Sequence, residues 1–301
     1  MNLVEQLCNR YDLSIREHIG AGHICKSTFR VTDSRGVMLI LKVGDTPEGV
    51  REIIKNCRGY EGLRALHLKC LVPNIEASGT SGREAFILMG DCGDDFVTQL
   101  QKERSTRRLY DRLAVQMEAV YRQSRGCGTD GKRSLRAAIT KTVEQYERYL
   151  GGVLDPERVL APKFAQVLAR TVVTSHYYCF ASWDFTPRNI FLTAGGVKYA
   201  DPNADVTGVP IIDLSCFAGV VRDVEMLPEA AYGYAVLKNL AVNVVGTLLE
   251  IEPLRAERIF YLGRVLQSFL GARFRMQTEP SRAVHFFRQG VQYLERVVGE
   301  G

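Results

Sequence analysis

The chain changes its hydrophobic period once, and that change constrains its fold more than any other feature. Up to residue 90 the apolar runs are short and bounded by turns. Residues 28–32 and 37–43 flank Asp33-Ser34-Arg35-Gly36, a spacing that predicts a β-hairpin. A helix is predicted over 48–68, weakened by Gly59 and Gly62. Residues 86–89 predict a buried strand, closed by the turn-rich break Gly90-Asp91-Cys92-Gly93-Asp94-Asp95. Beyond the break the period is helical. Leu135, Ile139, Val143, Tyr146 and Leu150 recur every three or four residues, with Ser134 as N-cap and Gly151 past the end. Val284, Phe287, Val291, Leu294 and Val298 repeat the pattern after Pro280. One segment departs from it: residues 190–200 place two short apolar runs around Ala194-Gly195-Gly196, which predicts a hairpin inside a helical region. The expected fold is α+β and bilobal, with a small β-rich lobe over 1–90 and a larger helical lobe over 91–301 that carries one hairpin.

Composition narrows the function classes. With 301 residues, 46% hydrophobic and 24% charged, the chain can bury a sizeable core. Its 39 basic and 34 acidic residues leave +5, which excludes a charge-dominated disordered chain and offers little basis for a dedicated nucleic-acid binder. Glu5 and Asp12 interrupt the first residues, so no secretory signal is predicted there. The most apolar stretch, 234–251, contains Lys238, Asn239 and Asn243 and is expected to be a buried helix and not a membrane span. Eight cysteines without a C-x-x-C pair predict reduced thiols and a cytoplasmic protein, and the five histidines form no zinc pattern. Residues 102–136 hold ten Lys/Arg against four Asp/Glu. A solvated face and recruitment of an anionic substrate or partner are the two readings open for that stretch.

The chemistry concentrates in Ser182-Trp183-Asp184-Phe185-Thr186-Pro187-Arg188-Asn189, followed twelve residues later by Asp201. An acid, an amide five residues on and a second acid returned by the hairpin supply hard oxygen ligands suited to Mg²⁺. The remaining carboxylate can accept a proton from an attacking hydroxyl. D-x₄-N alone is weak, and a surface loop is its bland alternative. Upstream, Ile19-Gly20-Ala21-Gly22 precedes the first hairpin, and Lys42 lies in Leu39-Ile40-Leu41-Lys42-Val43. A Walker loop at 20–28 is rejected, because Cys25 stands where its second glycine is required and the segment that follows is hairpin-like.

With these residues in order, the sequence resembles the aminoglycoside phosphotransferase and choline kinase branch of the kinase-like phosphotransferases. That branch's catalytic loop reads H-G-D-x-x-P-x-N, then a hairpin and a metal-binding Asp; this chain matches at Asp184, Pro187, Asn189 and Asp201. Gly208-Val209-Pro210-Ile211-Ile212-Asp213-Leu214 resembles the branch's G-D-P-x-x-D-L. The resemblance implies a protein kinase-like fold with a nucleotide-binding lobe at 1–90 and a catalytic and substrate-binding lobe at 91–301. It implies that Asp184 is the catalytic base, that Asn189 and Asp201 hold the metal, and that Asp213 braces the catalytic loop. Gly20 and Gly22 would cover the phosphates, Lys42 would hold them with Glu61 as its helix partner, and Met89 and Asp91 would form the hinge at the nucleotide base. Two departures stand out: Ser182 and Trp183 occupy the branch's usual His and Gly.

The expected function is therefore an ATP-dependent (or GTP-dependent), Mg²⁺-dependent phosphotransferase. Its acceptor would be a hydroxyl of a small molecule (an antibiotic, a nucleoside, a sugar or an amino alcohol), which includes an antibiotic-resistance kinase. A monomer or homodimer with no nucleic-acid or membrane partner is expected. From Asp184 onward, 13 acids face 12 bases, which makes no electrostatic case for a polycationic acceptor. A pseudokinase scaffold and a protein kinase are the alternatives; the second has little room, since no long activation loop fits between Asp201 and Gly208.

Overall fold

The computed structural model describes residues 2–19, 27–81, 83–126, 135–157, 160, 162–163, 166–167, 179–182 and 185–298. The chain divides into two compact units: 1–95 with 189–206, and 96–188 with 207–301.

The first unit is built on a five-stranded antiparallel sheet. Helix α1 (Leu3–Tyr11) leads into β1 (Ser14–His18), β2 (Ser27–Thr32) and β3 (Met38–Gly44), then α2 (Pro47–Ala65), β4 (Ile75–Ser81) and β5 (Glu84–Gly90). The strand order is β1-β2-β3-β5-β4. The β2–β3 hairpin forms as predicted, in register from Ser27 opposite Val43 to Thr32 opposite Met38. Its turn is held by the Asp33 carboxylate, which accepts the Arg35 and Val37 N–H groups at 2.9 Å each, with Gly36 at φ 78°. Alternation along the strands sends Val31, Leu39, Leu41, Val43, Phe86 and Leu88 to one face, where Leu7 and Leu13 join them.

Helix α1 and strands β1 and β4 are additions to the predicted set. Asn2 and Glu5 make a reciprocal capping box at the start of α1. The other sheet face is covered by α2, which starts at Thr46 with Pro47 in its first turn and buries Ile53, Asn56, Tyr60 and Leu63.

The rest of the first unit is the hairpin of β7 (Ile190–Thr193) and β8 (Gly196–Tyr199), which follows the two-residue β6 (Cys179–Phe180) and pairs Ile190 with Tyr199. Gly196, at φ 117°, supplies a backbone conformation that side chains rarely adopt. The Lys198 ammonium donates to the Val72 carbonyl at 3.1 Å.

The second unit is mainly helical. It contains α3 (Phe96–Lys102), α4 (Thr106–Gln123), α5 (Leu135–Gln145), α6 (Gly151–Leu154), the two-residue β9 (Thr207–Gly208) and α7 (Pro210–Gly219). Then come α8 (Ala230–Asn239), α9 (Gly246–Leu248), α10 (Pro253–Arg275) and α11 (Pro280–Val298). Gly151 does not end the helix it was expected to end. A π-helical turn, Tyr146–Leu150, carries the chain from α5 into α6, and a Cβ at Gly151 would lie 3.1 Å from the Tyr146 ring. The glycine permits a close approach and is not a stop signal; Asp155 closes the helix. The apolar stretch 234–251 is helical from α8 through a further π-helical turn (Leu240–Val245) into α9, and it is buried along one face only: Leu237, Leu240, Ala241, Val245 and Leu249 are buried, while Ala235, Asn239, Asn243 and Thr247 are exposed. No helix among the described residues is long and apolar enough to cross a membrane.

Candidate active site

Lys42 sits mid-strand on β3, between Thr28 of β2 and Ile87 of β5. Its neighbours Leu41 and Val43 point into the core, so alternation turns Lys42 to the α2 face, where its side chain is 12% exposed. Such a cation, nearly removed from water, needs a counter-charge. That counter-charge is Asp201, whose carboxylate accepts from the Lys42 ammonium.

Asp201 reaches this position by way of the β7–β8 hairpin. Asn189 ends the short helical turn Pro187–Asn189, and its carbonyl accepts the Ala200 N–H at 2.8 Å, one step beyond the last strand pair. Asn189 and Asp201 therefore flank the open end of one hairpin. Asp201 adopts left-handed φ (54°), a conformation that Asp tolerates better than most residues. Its side chain remains 39% exposed, and Lys42 is its single ion-pair partner among the described residues. One carboxylate and one amide oxygen form a small, hard donor set. This chemistry fits Mg²⁺, which keeps several waters and takes few protein ligands. Among the described residues no cluster of three or more His, Cys, Asp or Glu suited to a metal occurs.

Helix α2 meets this segment in a way the sequence reading did not anticipate. Glu61 was expected to pair with Lys42, but it is exposed and makes no ion pair among the described residues. The helical period explains the difference. The inward face carries Ile53, Asn56, Tyr60 and Leu63, and Glu61 lies about 100° round from Tyr60, on the side of Cys57. Glu52 pairs with Lys55, one turn on. The residues that do reach the Asp201 segment are Asn56, whose amide donates to the Pro202 carbonyl at 3.2 Å, and the buried Tyr60. Burial first, and then the Asp201 charge, push the Tyr60 hydroxyl well above its ordinary range; the Asp201 main-chain N–H acts in the opposite sense. A buried asparagine on the inward stripe of α2 was the available sequence signal.

At the end of β5, Met89 is buried and its sulfur accepts from the Tyr60 hydroxyl at 3.7 Å. The Gly90 N–H is donated to the Asn74 carbonyl and the Asp91 N–H to the Met38 carbonyl. The Asp91 carboxylate takes Arg30 at 2.7 Å and the Gly93 N–H at 2.8 Å. Asp91 is thus occupied by contacts within the first unit. The next main-chain donor, the Cys92 N–H, makes no hydrogen bond among the described residues. Burial raises the Cys92 thiol to about 11, so it is a neutral wall group near pH 7.

In the second unit, Asp213 lies in the first turn of α7, 6% exposed, and accepts the Ser182 N–H. Ser182 is itself fully buried, and its carbonyl accepts the Phe185 N–H at 2.8 Å. The Ser182–Phe185 contact spans positions 183 and 184 in the sequence. Gly20, Gly22, Trp183 and Asp184 lie outside the described residues.

No protein-family profile and no curated protein sequence matches the chain. Solved structures do. The choline kinase LicA from Streptococcus pneumoniae superposes with a TM-score of 0.61 at 13% identity, covering 96% of each chain. The GDP and kanamycin complex of APH(2")-IIia gives 0.61 at 14% identity, covering 99% of this chain and 98% of that one. Amicoumacin kinase hAmiN, in complex with AMP-PNP, Ca²⁺ and Ami, gives 0.59 at 11% identity, over 99% of this chain and 95% of that one. The chain has the protein kinase-like fold of the aminoglycoside phosphotransferases and choline kinases.

Proposed function

We propose that the protein is an ATP- or GTP-dependent phosphotransferase that phosphorylates a hydroxyl of a small molecule. The observation that carries this reading is the meeting of Lys42, Asp201 and the Asn189 end of the hairpin in one unit. It is supported by the nucleotides held in structures of the same fold: GDP with kanamycin in one, AMP-PNP with Ca²⁺ in another.

In this reading Lys42 leaves Asp201 for the α/β-phosphates when nucleotide binds, and the segment of Gly20 and Gly22 covers them. The Gly90 carbonyl and the Cys92 N–H meet the base, with Met89 and Asp91 shaping the hinge. Asn189 and Asp201 hold Mg²⁺, which when bound neutralises phosphate charge and orients the transferring group. Asp184 orients the acceptor hydroxyl and takes its proton, and Asp213 fixes the approach to Asp184 through Ser182. Little covalent chemistry is asked of the protein; positioning and charge stabilisation supply the rate.

The acceptor is weakly charged in this account. Every acid between residues 207 and 298 is already partnered. Asp223, Glu225, Glu229, Glu250, Glu257, Glu279 and Glu295 face arginine or lysine. Glu252 caps α10, and Asp213 takes Ser182. A polycation finds no uncompensated carboxylate there, whereas a nucleoside, a sugar or a peptide antibiotic needs none. The test is a phosphoryl-transfer screen across aminoglycosides, peptide antibiotics, nucleosides and amino alcohols, run beside Asp184→Asn. Transfer to one class, abolished in the variant while nucleotide still binds, is expected. Nucleotide binding without transfer to any acceptor would support the pseudokinase alternative, and turnover in Asp184→Asn would remove the proposed base.

A further inference from the structure

Helix α2 touches the five-residue stretch after Asp201, residues 202–206, through three successive small or polar positions. Asn56, 1% exposed, donates its amide to the Pro202 carbonyl at 3.2 Å. One turn on, Gly59 lies flat against the same stretch: a Cβ there would run into the Asn203 carbonyl and come within 2.8 Å of Pro202. Gly62, a turn further, faces Val206, whose methyl would be 2.9 Å from an added Cβ. Tyr60 lies between them, with the Asp201 N–H acting on its hydroxyl. The glycines that weaken the helix as an isolated segment are the ones that let it come down on main chain.

Asp201, just before this stretch, has a left-handed backbone conformation. It lies between the end of β8 and the gripped segment, and among the described residues its carboxylate is held from the sheet side by Lys42 alone. When Lys42 turns to a phosphate, that carboxylate loses its side-chain partner. What then remains is the grip on the main chain that follows it.

We propose that α2 positions the Asp201 carboxylate through the backbone of residues 202–206, with Asn56 as the positioning residue, in place of a helix glutamate acting on Lys42. The inference rests on the phosphotransferase reading for what Asp201 does. The grip itself involves only residues of the first unit. Asn56 touches neither nucleotide nor metal in this account, so its removal spares nucleotide affinity and loosens the metal.

The experiment is a titration of the full chain with Mn²⁺, read by electron paramagnetic resonance in saturating ADP, beside metal-free ADP binding measured by calorimetry. Asn56→Asp keeps the shape and removes the donor; Asn56→Ala removes both. Each is expected to weaken Mn²⁺ tenfold or more while metal-free ADP affinity stays within twofold of the parent. Gly59→Ala shifts the same segment from a second position and gives the same pattern if the Asn56 variants fail to fold. Ile53→Val loosens the buried face of α2 one turn before Asn56, away from the grip, and is expected to leave both affinities unchanged. Parent-like Mn²⁺ affinity in a folded Asn56 variant overturns the inference alone, as does an equal loss in Ile53→Val. A parent whose ADP binding is indifferent to Mn²⁺ overturns the phosphotransferase reading and this inference together.

Discussion

Two aspartates in this chain hold buried cations, and they do so in opposite ways. In the helical unit, Asp223 is 8% exposed and receives both Arg222 and the fully buried Arg264. Arg264 also donates to Gln267 at 2.9 Å, and Arg222 reaches the Tyr293 hydroxyl while stacking 4.1 Å from the Tyr234 ring centre. In the first unit, Asp201 is 39% exposed and has Lys42 as its one ion-pair partner among the described residues. The first arrangement is closed: both arginines bind a carboxylate shielded from water, although the buried Arg264 Nε has no hydrogen-bond partner among the described residues. The second is underfilled, with a carboxylate partly in water and a cation that a phosphate can claim. Removing the carboxylate from a closed cluster strands buried charge, whereas an open pair leaves its groups available to a ligand.

That contrast can be broken at several points. The largest stability effect is expected at Asp223. Asp223→Ala leaves two arginines without their counter-charge, one of them fully buried, and should cost about 3–5 kcal/mol in chemical denaturation. A loss under about 1 kcal/mol would show the cluster to be decorative. Next is Gly219, whose missing Cβ leaves room for the Arg264 guanidinium: an added methyl would overlap Nη1 and lie 2.5 Å from Cζ. Gly219→Ala should therefore destabilise by about 1–3 kcal/mol, as overpacking does. The smallest effect belongs to Arg188–Glu225, an open pair at 3.0 Å with the arginine side chain 57% exposed. Arg188→Ala should shift stability by less than about 1 kcal/mol, less still in high salt.

The same contrast explains what could be read from sequence. Local signals were legible where a turn or a period is self-contained: Asp33 to Gly36 closes one hairpin and Ala194-Gly195-Gly196 the other, and both form. Lys42 could be placed on a strand because alternation sends its apolar neighbours to the other face. Helix α1 was legible too: Asn2 and Glu5 carry its capping box, and Leu3, Val4, Leu7, Cys8 and Tyr11 recur at helical spacing on the side that packs on the sheet, so its nine residues lacked only length as a signal. Gly151 was misread because a glycine can serve close packing as well as termination, and only the Tyr146 ring distinguishes the two. Glu61 was misplaced for a similar reason. Three acids on α2 compete for one role, and which of them faces Lys42 depends on how the helix is rotated over the sheet. Asn56, Gly59 and Gly62 set that rotation through contacts with residues more than 140 positions away. Contacts of that range leave no local pattern to read.

The central claim is that Asp201 is a working residue and not a structural one, and a single comparison tests it. Nucleotide-driven phosphoryl transfer, or slow ATP hydrolysis if no acceptor is found, is measured for the parent and Asp201→Ala beside their denaturation midpoints. The account predicts a loss of about 10²-fold or more in turnover, with a stability cost of about 1–3 kcal/mol for the unpaired Lys42, smaller than that of Asp223→Ala. Turnover at the parent level in a folded Asp201→Ala protein would contradict it.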